Sequence, residues 1–562
     1  MYLKMKKIRT GAWILIALLL FAIAGVVYFI LLGQWHTQAY AAGNSSEVPV
    51  YRITEPEDGG QAAVEEAGTV IRGSSVTKYM KTAEVDGVTY TKISAEGLSD
   101  EEELYMAEAS LVEDAADTVQ ETEVFVRTPA TVYAEAGEPG IASFAPKGTR
   151  LEIIGHDRLK ENGYINMYKV RFKDSKDNDV EGYVYGKYMA GTQEEADAPY
   201  NEHGEYDTAR EDGFRFELYG GEAEDLDFYP YERTQIEGNE FCTYARAMYL
   251  NSYAAVNNEA YIDLIKASGC NAVVIDIKDG PLAYKSPVAK ELSPSSYDAA
   301  YADLDEMKAA ADRFREAGVY MIGRIVTFND TYYAKDHPED CIEYGGSSGW
   351  PSAYSRNVWE YNVRLAREAV KEFGFNEIQF DYVRFPESTY EMSKSGKADF
   401  RNKYKESKSQ AVQNFCFYAA DQLREEGAYI SVDVFGESAY SYVTAYGQYW
   451  TAISNIVDAI SAMPYTDHFS GDAPWEDPYS SVKRWAKKAG EQQERLQDPA
   501  VARTWITGYN TPHWAPTVNY GEKQMKDQIK ALEDCGLTGG FIPWNALSDI
   551  GKYRQYQAIW NE

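Results

Sequence analysis

The chain has 562 residues, of which 44% are hydrophobic and 25% are charged, a composition typical of a folded protein with room for several domains. It carries 55 basic and 88 acidic side chains, so its formal net charge is −33. This charge argues against nucleic acid as a partner, because binding a phosphate backbone requires clustered Lys and Arg. The five cysteines show no CxxC spacing, which excludes a zinc ribbon and a small disulfide-stapled scaffold while leaving room for one disulfide.

The N-terminus predicts a membrane anchor. A basic segment, residues 1–10, precedes residues 11–33, which contain no charged side chain. At about 1.5 Å per residue, this uncharged run is long enough to cross a bilayer as a helix. Basic flanks stay in the cytoplasm, so we expect a single-pass membrane protein whose bulk is extracytoplasmic. The alternative is a secreted protein cleaved near Ala41, because Ala39-Tyr40-Ala41 matches an A-x-A cleavage site.

Two acidic stretches separate the predicted anchor, the predicted strands at 122–192 and the strand–helix repeats at 239–562. Residues 34–121 are rich in acidic and small side chains, with four consecutive acids at 100–103, and show no long apolar period. Such a composition predicts a solvated stalk. Residues 193–238 are again acidic and rich in turn-forming residues, which predicts a linker.

Residues 122–192 predict a small β-barrel. Short apolar or alternating segments, separated by Gly, Pro, Asn and Asp, predict five strands at 124–126, 131–133, 151–154, 168–172 and 182–185. The block resembles a bacterial SH3 domain in its opening strand at 131–133, its turn at Gly148 and its closing strand at 182–184. The resemblance implies a module that binds cell wall or peptide. A spacer barrel without a ligand is the alternative.

Residues 239–562 alternate apolar strands with amphipathic helices. The predicted strands are 246–250, 272–278, 320–327, 377–385, 429–435, 459–465, 504–509 and 540–544, and the clearest helices are 304–317, 358–373, 403–426 and 522–535. Eight βα units predict a (β/α)8 TIM barrel. The predicted fold class is therefore α/β, a TIM barrel preceded by a small SH3-like β-barrel and a transmembrane helix. A doubly wound open sheet is the alternative, but no Gly-rich phosphate loop follows the first strand.

In three predicted barrel strands, apolar and polar residues alternate, and acidic side chains occupy polar positions. Asp276 and Lys278 alternate with isoleucines in the second strand, Asp381 lies late in the fourth, and Asp433 lies late in the fifth. Since the apolar phase faces the surrounding helices, the polar phase should face the barrel interior. A carboxylate is costly to bury there unless it is paired or functional. TIM-barrel active sites lie at the C-terminal ends of the strands, where these acids are found.

Two carboxylates beside one sugar are the requirement for hydrolysing a glycosidic bond. We predict Asp381 as the nucleophile or base. Glu437 lies just beyond the fifth strand, where it could reach a leaving group, so we prefer it to Asp433 as the acid. Neighbouring strands are about 4.8 Å apart, which leaves both the retaining and the inverting geometry open.

The alternative is that these acids are structural. Asp381 would then form an interior ion pair with Arg324 or Arg384. Asp276 and Asp279 would pair with Lys278 or Arg324 in the same way.

Further polar and aromatic residues late in the strands, or in the loops that follow, suit a carbohydrate. Aromatic rings can stack on a sugar and amides can bind its hydroxyls, although packing is the ordinary role of any single ring. The predicted substrate-binding residues are Asp276, Asp279, Arg324, Arg384, Tyr465, Asn510, Trp514, Trp544 and Asn545. HExxH is absent, and no GxSxG lies between a strand and a helix, so we expect neither a zinc nor a serine hydrolase, and no cofactor.

Three segments, 271–279, 379–386 and 431–436, resemble an uncharacterised bacterial family described as a "putative glycosyl hydrolase domain". The resemblance runs from about residue 246 to the C-terminus and implies a TIM barrel with glycoside hydrolase activity, without naming a substrate. The sequence thus predicts a membrane-anchored extracytoplasmic glycoside hydrolase acting on a wall-associated or environmental glycan. The alternative is a noncatalytic surface protein that binds glycan or cell wall.

Overall fold

The computed structural model describes residues 15–28, 35–54, 62–99, 102–174, 177–199, 220–231, 233–469, 475–510 and 518–561. The chain divides into two compact units. One comprises Met1–Val126, Gly148–Phe172 and Tyr183–Gln193, and the other comprises Arg127–Lys147, Lys173–Gly182 and Glu194–Glu562.

Residues 15–28 form a helix with exposed apolar side chains, including Phe21 at 84% exposure. Across the described ranges, no helix combines the length and the hydropathy that crossing a bilayer requires. The predicted basic segment and both flanks of the predicted span, 11–14 and 29–33, lie outside the described residues. The anchor therefore stays a prediction.

The described residues between 36 and 112 form a seven-stranded antiparallel sheet in the order β3-β2-β6-β5-β4-β1-β7. Its strands are β1 His36–Ala41, β2 Glu47–Thr54, β3 Ala63–Ile71, β4 Ser75–Val85, β5 Val88–Ser94, β6 Leu104–Ala107 and β7 Leu111–Val112. Ala41, Val50 and Met106 are fully buried in its core. The predicted solvated stalk is therefore wrong for this segment. Each half-buried strand buries only alternate residues, so the mean hydropathy stays low although a core forms.

A second seven-stranded sheet follows, in the order β10-β9-β13-β12-β11-β8-β14. Its strands are β8 Glu123–Val126, β9 Ala130–Tyr133, β10 Ile141–Ala145, β11 Arg150–His156, β12 Met167–Lys173, β13 Asp179–Tyr185 and β14 Met189–Ala190. The five predicted strands are confirmed, and the sequence reading missed β10 and β14. The SH3-like identity of this region and its ligand stay predictions.

The C-terminal region is a nearly closed, parallel, TIM-like barrel. Its strands are β15 Ala245–Leu250, β16 Ala272–Lys278, β17 Tyr320–Val326, β20 Glu377–Asp381, β21 Tyr429–Phe435, β22 Ala459–Met463, β23 Val501–Ala502, β24 Thr504–Thr507 and β25 Gly540–Trp544. They are ordered β23-β22-β21-β20-β17-β16-β15-β25-β24. Only Arg503 separates β23 from β24, and β24 corresponds to the predicted seventh strand, 504–509. The short hairpin of β18 Cys341–Tyr344 and β19 Ser347–Pro351 lies between β17 and β20 in the chain.

Helices follow the barrel strands, as the alternating pattern predicts. They are Ser252–Val256, Glu259–Lys266, Pro287–Leu292, Pro294–Asp298, Leu304–Glu316, Thr331–Asp336, Arg356–Phe373, Thr389–Ser395, Lys408–Glu425, Trp450–Ser454, Pro478–Gln493, Glu522–Glu533 and Ile550–Gln555. Leu304–Glu316 buries one stripe of residues, including Met307, Ala311 and Phe314. Lys408–Glu425 begins five residues later than predicted because Ser407 and Gln410 form a capping box there.

The predicted linker is partly folded. Residues 200–219 and 232 lie outside the described residues, and Gln193–Asp197 is a short helix. Beyond the gap, Leu226 and Phe228 are buried in one cluster with Val443 and Tyr449. This part of the segment is thus packed rather than solvated, which corrects the prediction.

Candidate active site

A single buried arginine lies among carboxylates at the C-terminal ends of the barrel strands. Nη1 of Arg324 donates to Oδ1 of Asp276 at 2.6 Å and to Oδ2 of Asp279 at 3.2 Å. Nη2 and Nε donate to Oδ2 of Asp381 at 2.6 and 3.1 Å. A fourth carboxylate, Asp433, places Oδ2 3.7 Å from Nε. One cation therefore faces four carboxylates, an arrangement that we call the upper cluster.

Asp381 is held by backbone as well as by Arg324. The backbone N–H of Tyr382 donates to Oδ1 of Asp381 at 2.6 Å. Tyr382 adopts a φ of +53°, a left-handed conformation that costs a non-glycine residue about 1–2 kcal/mol. Strain of this kind is tolerated where function fixes a geometry. Three donors thus orient the Asp381 carboxylate.

Asp433 is the most deeply buried acid of the upper cluster. Its Oδ1 accepts a hydrogen bond from Nε1 of Trp505 at 2.7 Å, whereas its buried Oδ2 has no hydrogen-bond partner among the described residues. Burial, together with the charge of Asp381, raises the pKa of Asp433 well above its usual range. Burial also raises the pKa of Asp276 to about 6, although Arg324 opposes the shift. These two acids favour the protonated form more than an exposed aspartate does.

Glu437 lies two residues beyond β21, in the turn where the sequence reading places the acid. It is half-buried, and two phenols donate to its two oxygens: the Tyr442 hydroxyl to Oε1 and the Tyr446 hydroxyl to Oε2, each at 2.9 Å. The pair of tyrosines fixes the direction in which the carboxyl group points.

Gln448 connects the loops that follow β20 and β21. Its Oε1 accepts from the backbone N–H of Phe435 at 2.9 Å, and its Nε2 donates to the carbonyl of Val383 at 3.3 Å. The backbone N–H of Phe385 also donates to the carbonyl of Tyr446 at 2.9 Å. These contacts fix the loop of Glu437 against the loop of Asp381. The sequence reading missed Gln448 and both tyrosines, because a loop residue carries no period that reveals its contacts.

Asp381 and Glu437 line one cavity of about 1470 Å³ at this end of the barrel. Four predicted substrate-binding residues line it with them: Arg324, Arg384, Tyr465 and Trp544. Its wall also contains further aromatic side chains, namely Tyr382, Tyr390, Phe435, Tyr440, Tyr442, Tyr446, Phe469, Trp485 and Trp505. The volume and the many rings suit a ligand larger than one small metabolite.

Other predicted site residues lie elsewhere. Asp276, Asp279 and Asp433 belong to the upper cluster but are not among the described residues that line the cavity. Asn510 accepts a hydrogen bond from Nζ of Lys552 at 2.6 Å. Asn545 forms hydrogen bonds with the backbone of Asp549 at 3.1 and 3.3 Å. Both asparagines are thus engaged in loop contacts away from the cavity wall. Trp514 lies outside the described residues.

The side chain of Lys278 does not point into the barrel interior as that of Asp276 does. The register between β16 and β17 shifts between these two residues, so the strict alternation of the strand breaks there. Nζ of Lys278 instead donates to Asp330 and to Asn362, each at 2.7 Å. Asn362 belongs to the helix Arg356–Phe373, which packs outside the barrel. The predicted inward orientation of Lys278 is therefore wrong.

One group of side chains among the described residues has ligand atoms close enough to share a metal ion: His337, Glu339 and Asp340, within 4.8 Å of one another. Nε2 of His337 already contacts the carbonyl of Leu292 at 2.6 Å, and Asp340 accepts from the Tyr333 hydroxyl at 3.1 Å. None of the three lines the cavity. They therefore add nothing to the chemistry of the upper cluster.

Residues 247–549 match the model of a family described as "putative glycosyl hydrolase domain". This match spans more than half of the chain. The chain belongs to this family. The resemblance noted on the segments 271–279, 379–386 and 431–436 is thus confirmed, and the barrel is a glycosyl hydrolase-like domain.

Among solved structures, similar ones include a hypothetical protein from Ruminiclostridium thermocellum, with 29% identity over 33% of this chain and 97% of that chain and a TM-score of 0.28. The glycoside hydrolase domain of PgaB (BpsB) from Bordetella bronchiseptica shows 11% identity over 56% and 98%, with a TM-score of 0.42. A GH18 chitinase from Pseudoalteromonas aurantia shows 12% identity over 56% and 98%, with a TM-score of 0.35. No curated protein matches the chain.

Proposed function

We propose that this protein hydrolyses a glycosidic bond inside the barrel cavity, with Asp381 and Glu437 as the two catalytic carboxyl groups. The observation that carries the proposal is their common placement. They lie at or just beyond the C-terminal ends of the paired strands β20 and β21 and line the same cavity. Membership of the glycosyl hydrolase-like family supports a carbohydrate as the substrate.

Asp381 is proposed as the carboxylate that faces the anomeric carbon. The two nitrogens of Arg324 that donate to Oδ2 and the Tyr382 N–H that donates to Oδ1 hold it in place before the substrate arrives. Orientation of this kind lowers the barrier, because the reacting group has no freedom left to lose. Asp381 then either attacks the sugar or removes a proton from water, according to the distance between the two carboxyl groups in the complex.

Glu437 is proposed as the general acid that protonates the leaving oxygen. It lies on a loop at the cavity wall, whereas Asp433 is sealed beneath the surface and is absent from that wall. A proton donor must approach the glycosidic oxygen to hydrogen-bond distance, which favours Glu437. The raised pKa of Asp433 gives that residue a supporting role: in its protonated form it leaves Asp381 without a second negative charge beside it.

The proposed location is the outer face of the membrane, with the chain retained by residues 11–33. The helix at 15–28 and its exposed apolar side chains support an anchor. The structure of β1 argues against cleavage after Ala41. That strand pairs with both β4 and β7, and Ala39 and Ala41 are buried in the core of the sheet. Removing it would expose two paired edges and that core.

The experiment is a hydrolysis screen on a broad panel of polysaccharides and wall preparations, with reducing ends as the readout. We expect the wild-type chain to release sugars and Asp381→Asn to lose at least about 10³-fold in kcat. Glu437→Gln should lose a comparable factor on substrates with poor leaving groups and less on activated aryl glycosides, which need little protonation.

Asp340→Asn provides a matched control, because this buried aspartate lies outside the cavity and should leave kcat within about twofold. Full turnover in Asp381→Asn would contradict the proposal. Binding of a glycan that survives both active-site substitutions, with no turnover of any substrate, would instead favour the noncatalytic surface protein.

A further inference from the structure

Arg384 is a buried cation in the cavity wall without a buried carboxylate partner. The residue is 3% exposed and lines the cavity. Its Nη1 donates to the carbonyl of Phe385 at 3.0 Å, and its carboxylate contact among the described residues is Glu387, at 3.3 Å. The Glu387 side chain is 73% exposed, so solvent screens its charge strongly.

Two other buried arginines of the barrel pair with buried carboxylates. Arg503 pairs with Glu377 at 2.7 Å, and both side chains are fully buried. Arg356 pairs with the buried Glu406 at 2.8 Å. A buried charge is costly unless it is paired, so a buried arginine whose carboxylate contact is exposed needs a reason.

Aromatic rings hold the Arg384 guanidinium in one orientation. Its central carbon lies 4.3 Å from the ring centre of Phe435, 4.7 Å from that of Tyr382 and 5.4 Å from that of Trp350. Tyr382 follows Asp381 directly, and Phe435 lies two residues before Glu437. The cation is therefore placed between the strand ends that carry the two proposed catalytic groups. Burial lowers the pKa of Arg384, which is the sign of a cation that its surroundings do not fully compensate.

A second pair of cations lies on the same cavity wall. Arg484 and Lys488 are one turn apart on the helix Pro478–Gln493, and both line the cavity. Neither forms an ion pair with any carboxylate in the described part of the chain. Nζ of Lys488 lies 4.4 Å from the ring centre of Tyr440, another residue of the wall. The chain as a whole has a net charge of −33. The wall of this one cavity nevertheless carries three cations that have no buried carboxylate partner.

We propose that the cavity selects an anionic glycan, in which Arg384 binds a carboxylate or phosphate group on a sugar next to the bond that is cleaved. Arg484 and Lys488 bind further anionic groups along the same chain. A planar guanidinium fixed by aromatic rings matches the two oxygens of either group. This specificity rests on the proposed hydrolase function and names the class of its substrate.

The test measures binding in the Asp381→Asn chain, in which turnover does not obscure affinity. Isothermal titration compares tetragalacturonate with its methyl ester, which removes the charge and keeps the backbone. A second arm compares glucose 6-phosphate with glucose, so that the two arms distinguish carboxylate from phosphate recognition. We expect at least one charged probe to bind about tenfold or more tightly than its neutral partner, with the preference weakening as salt is added.

Three variants assign that preference to residues. Arg384→Gln should abolish the preference for whichever charged probe the parent chain binds more tightly than its neutral partner. Arg384→Lys should keep only part of that preference, because an ammonium cannot form two parallel hydrogen bonds. The double variant Arg484→Gln/Lys488→Gln, on the accessible face of its helix, should fold normally and weaken binding of tetragalacturonate or of a phosphorylated oligosaccharide several-fold. Arg364→Gln removes an ion pair with the exposed Glu291 and serves as the matched control with unchanged binding.

Equal binding of charged and neutral probes in both arms would overturn the proposal, and so would a preference that survives in Arg384→Gln and in the double variant. If Arg384→Gln fails to fold, the double variant decides alone. The proposed hydrolase function fails by a different result, namely full turnover in Asp381→Asn. The two failures are therefore distinguishable.

Discussion

The barrel buries a cluster of charged side chains at each end, and the two clusters differ in charge balance. At the N-terminal end of the strands, Arg503 pairs with Glu377 at 2.7 Å, and the Tyr320 hydroxyl donates to the same carboxylate at 3.1 Å. We call this the lower cluster. In the upper cluster, Arg324 faces four carboxylates, and the pKa of Asp276 is raised to about 6 by burial.

This difference in charge balance distinguishes a cluster that stabilises the fold from a cluster that serves catalysis. A balanced pair satisfies its own charges, so the lower cluster needs no ligand. An excess of carboxylates costs folding free energy unless some of them hold protons, and groups that exchange protons near neutral pH are those that acid–base catalysis uses. Apart from the exposed Asp279, the charged members of both clusters are buried, so charge balance, rather than burial, marks the functional end.

The largest effect on stability is expected from breaking the lower cluster. Arg503→Met leaves Glu377 buried and unpaired, which should lower the free energy of unfolding by about 3–5 kcal/mol in chemical denaturation. Activity per folded molecule should stay within about twofold, because neither residue lines the cavity.

Arg324→Met is the counterpart in the upper cluster and should lose comparable stability together with nearly all turnover. Its unfolding midpoint should recover at acid pH, where its carboxylates are protonated, and this recovery should exceed that of Arg503→Met. Full activity in Arg324→Met would contradict the functional role of the upper cluster. A folded but inactive Arg503→Met would contradict the purely structural role of the lower cluster.

Asp227 is a buried carboxyl group that belongs to neither cluster, so its substitution measures the effect of burial alone on the pH dependence of stability. Its Oδ1 accepts from the backbone N–H of Tyr229 at 2.9 Å, and burial raises its pKa to about 6. The folded chain therefore binds this proton more tightly than the unfolded chain. The resulting contribution to stability is complete below about pH 4 and is lost as the pH rises through 6. Asp227→Asn should remove a pH-dependent difference on the order of 2–3 kcal/mol between pH 4 and pH 7.

Denaturation of wild type and Asp227→Asn at a series of pH values measures that difference. Thr128→Val, which removes the weaker 3.4 Å contact to the same carboxylate, is the control that should keep the pH dependence. Parallel pH profiles for wild type and Asp227→Asn would show that burial does not raise this pKa.

A smaller effect is expected from Asp433→Asn. The substitution keeps an acceptor for Nε1 of Trp505 and removes the charge from a buried carboxyl group whose Oδ2 has no partner among the described residues. Since the pKa of Asp433 is raised, its stabilising contribution is present at low pH and is lost as the pH rises. We expect Asp433→Asn to be about 1 kcal/mol more stable than wild type at pH 8 and no more stable at pH 4.

The pH–rate profile of Asp433→Asn reports on its supporting role. We expect kcat to fall much less than in Asp381→Asn, with the basic limb of the profile shifted, because the neutral amide no longer titrates beside Asp381. A loss as large as that of Asp381→Asn would instead make Asp433 a catalytic group.

Much of the barrel and part of its site could be predicted from the chain. The eight strands alternate or run apolar over several consecutive residues, and that pattern is local. The same pattern places Asp381 and Asp433 late in their strands and Glu437 just beyond, which is where the structure has them. The sheet at residues 36–112 was missed because charged and small residues on its solvent face lower the mean hydropathy of the whole segment.

The sequence by itself determined which residues are acidic, which strands carry them and to which family the barrel belongs, because strand period and short motifs are properties of neighbouring residues. Only the tertiary structure decided how the charges are paired. Arg324 lies 3.7 Å from Asp433, which is 109 positions away in the chain. The register shift after Asp276 places Lys278 against Asp330 and Asn362, and Arg384 is left without a buried carboxylate partner. Charge balance depends on distances across the barrel, and residues far apart in the chain acquire those distances only on folding.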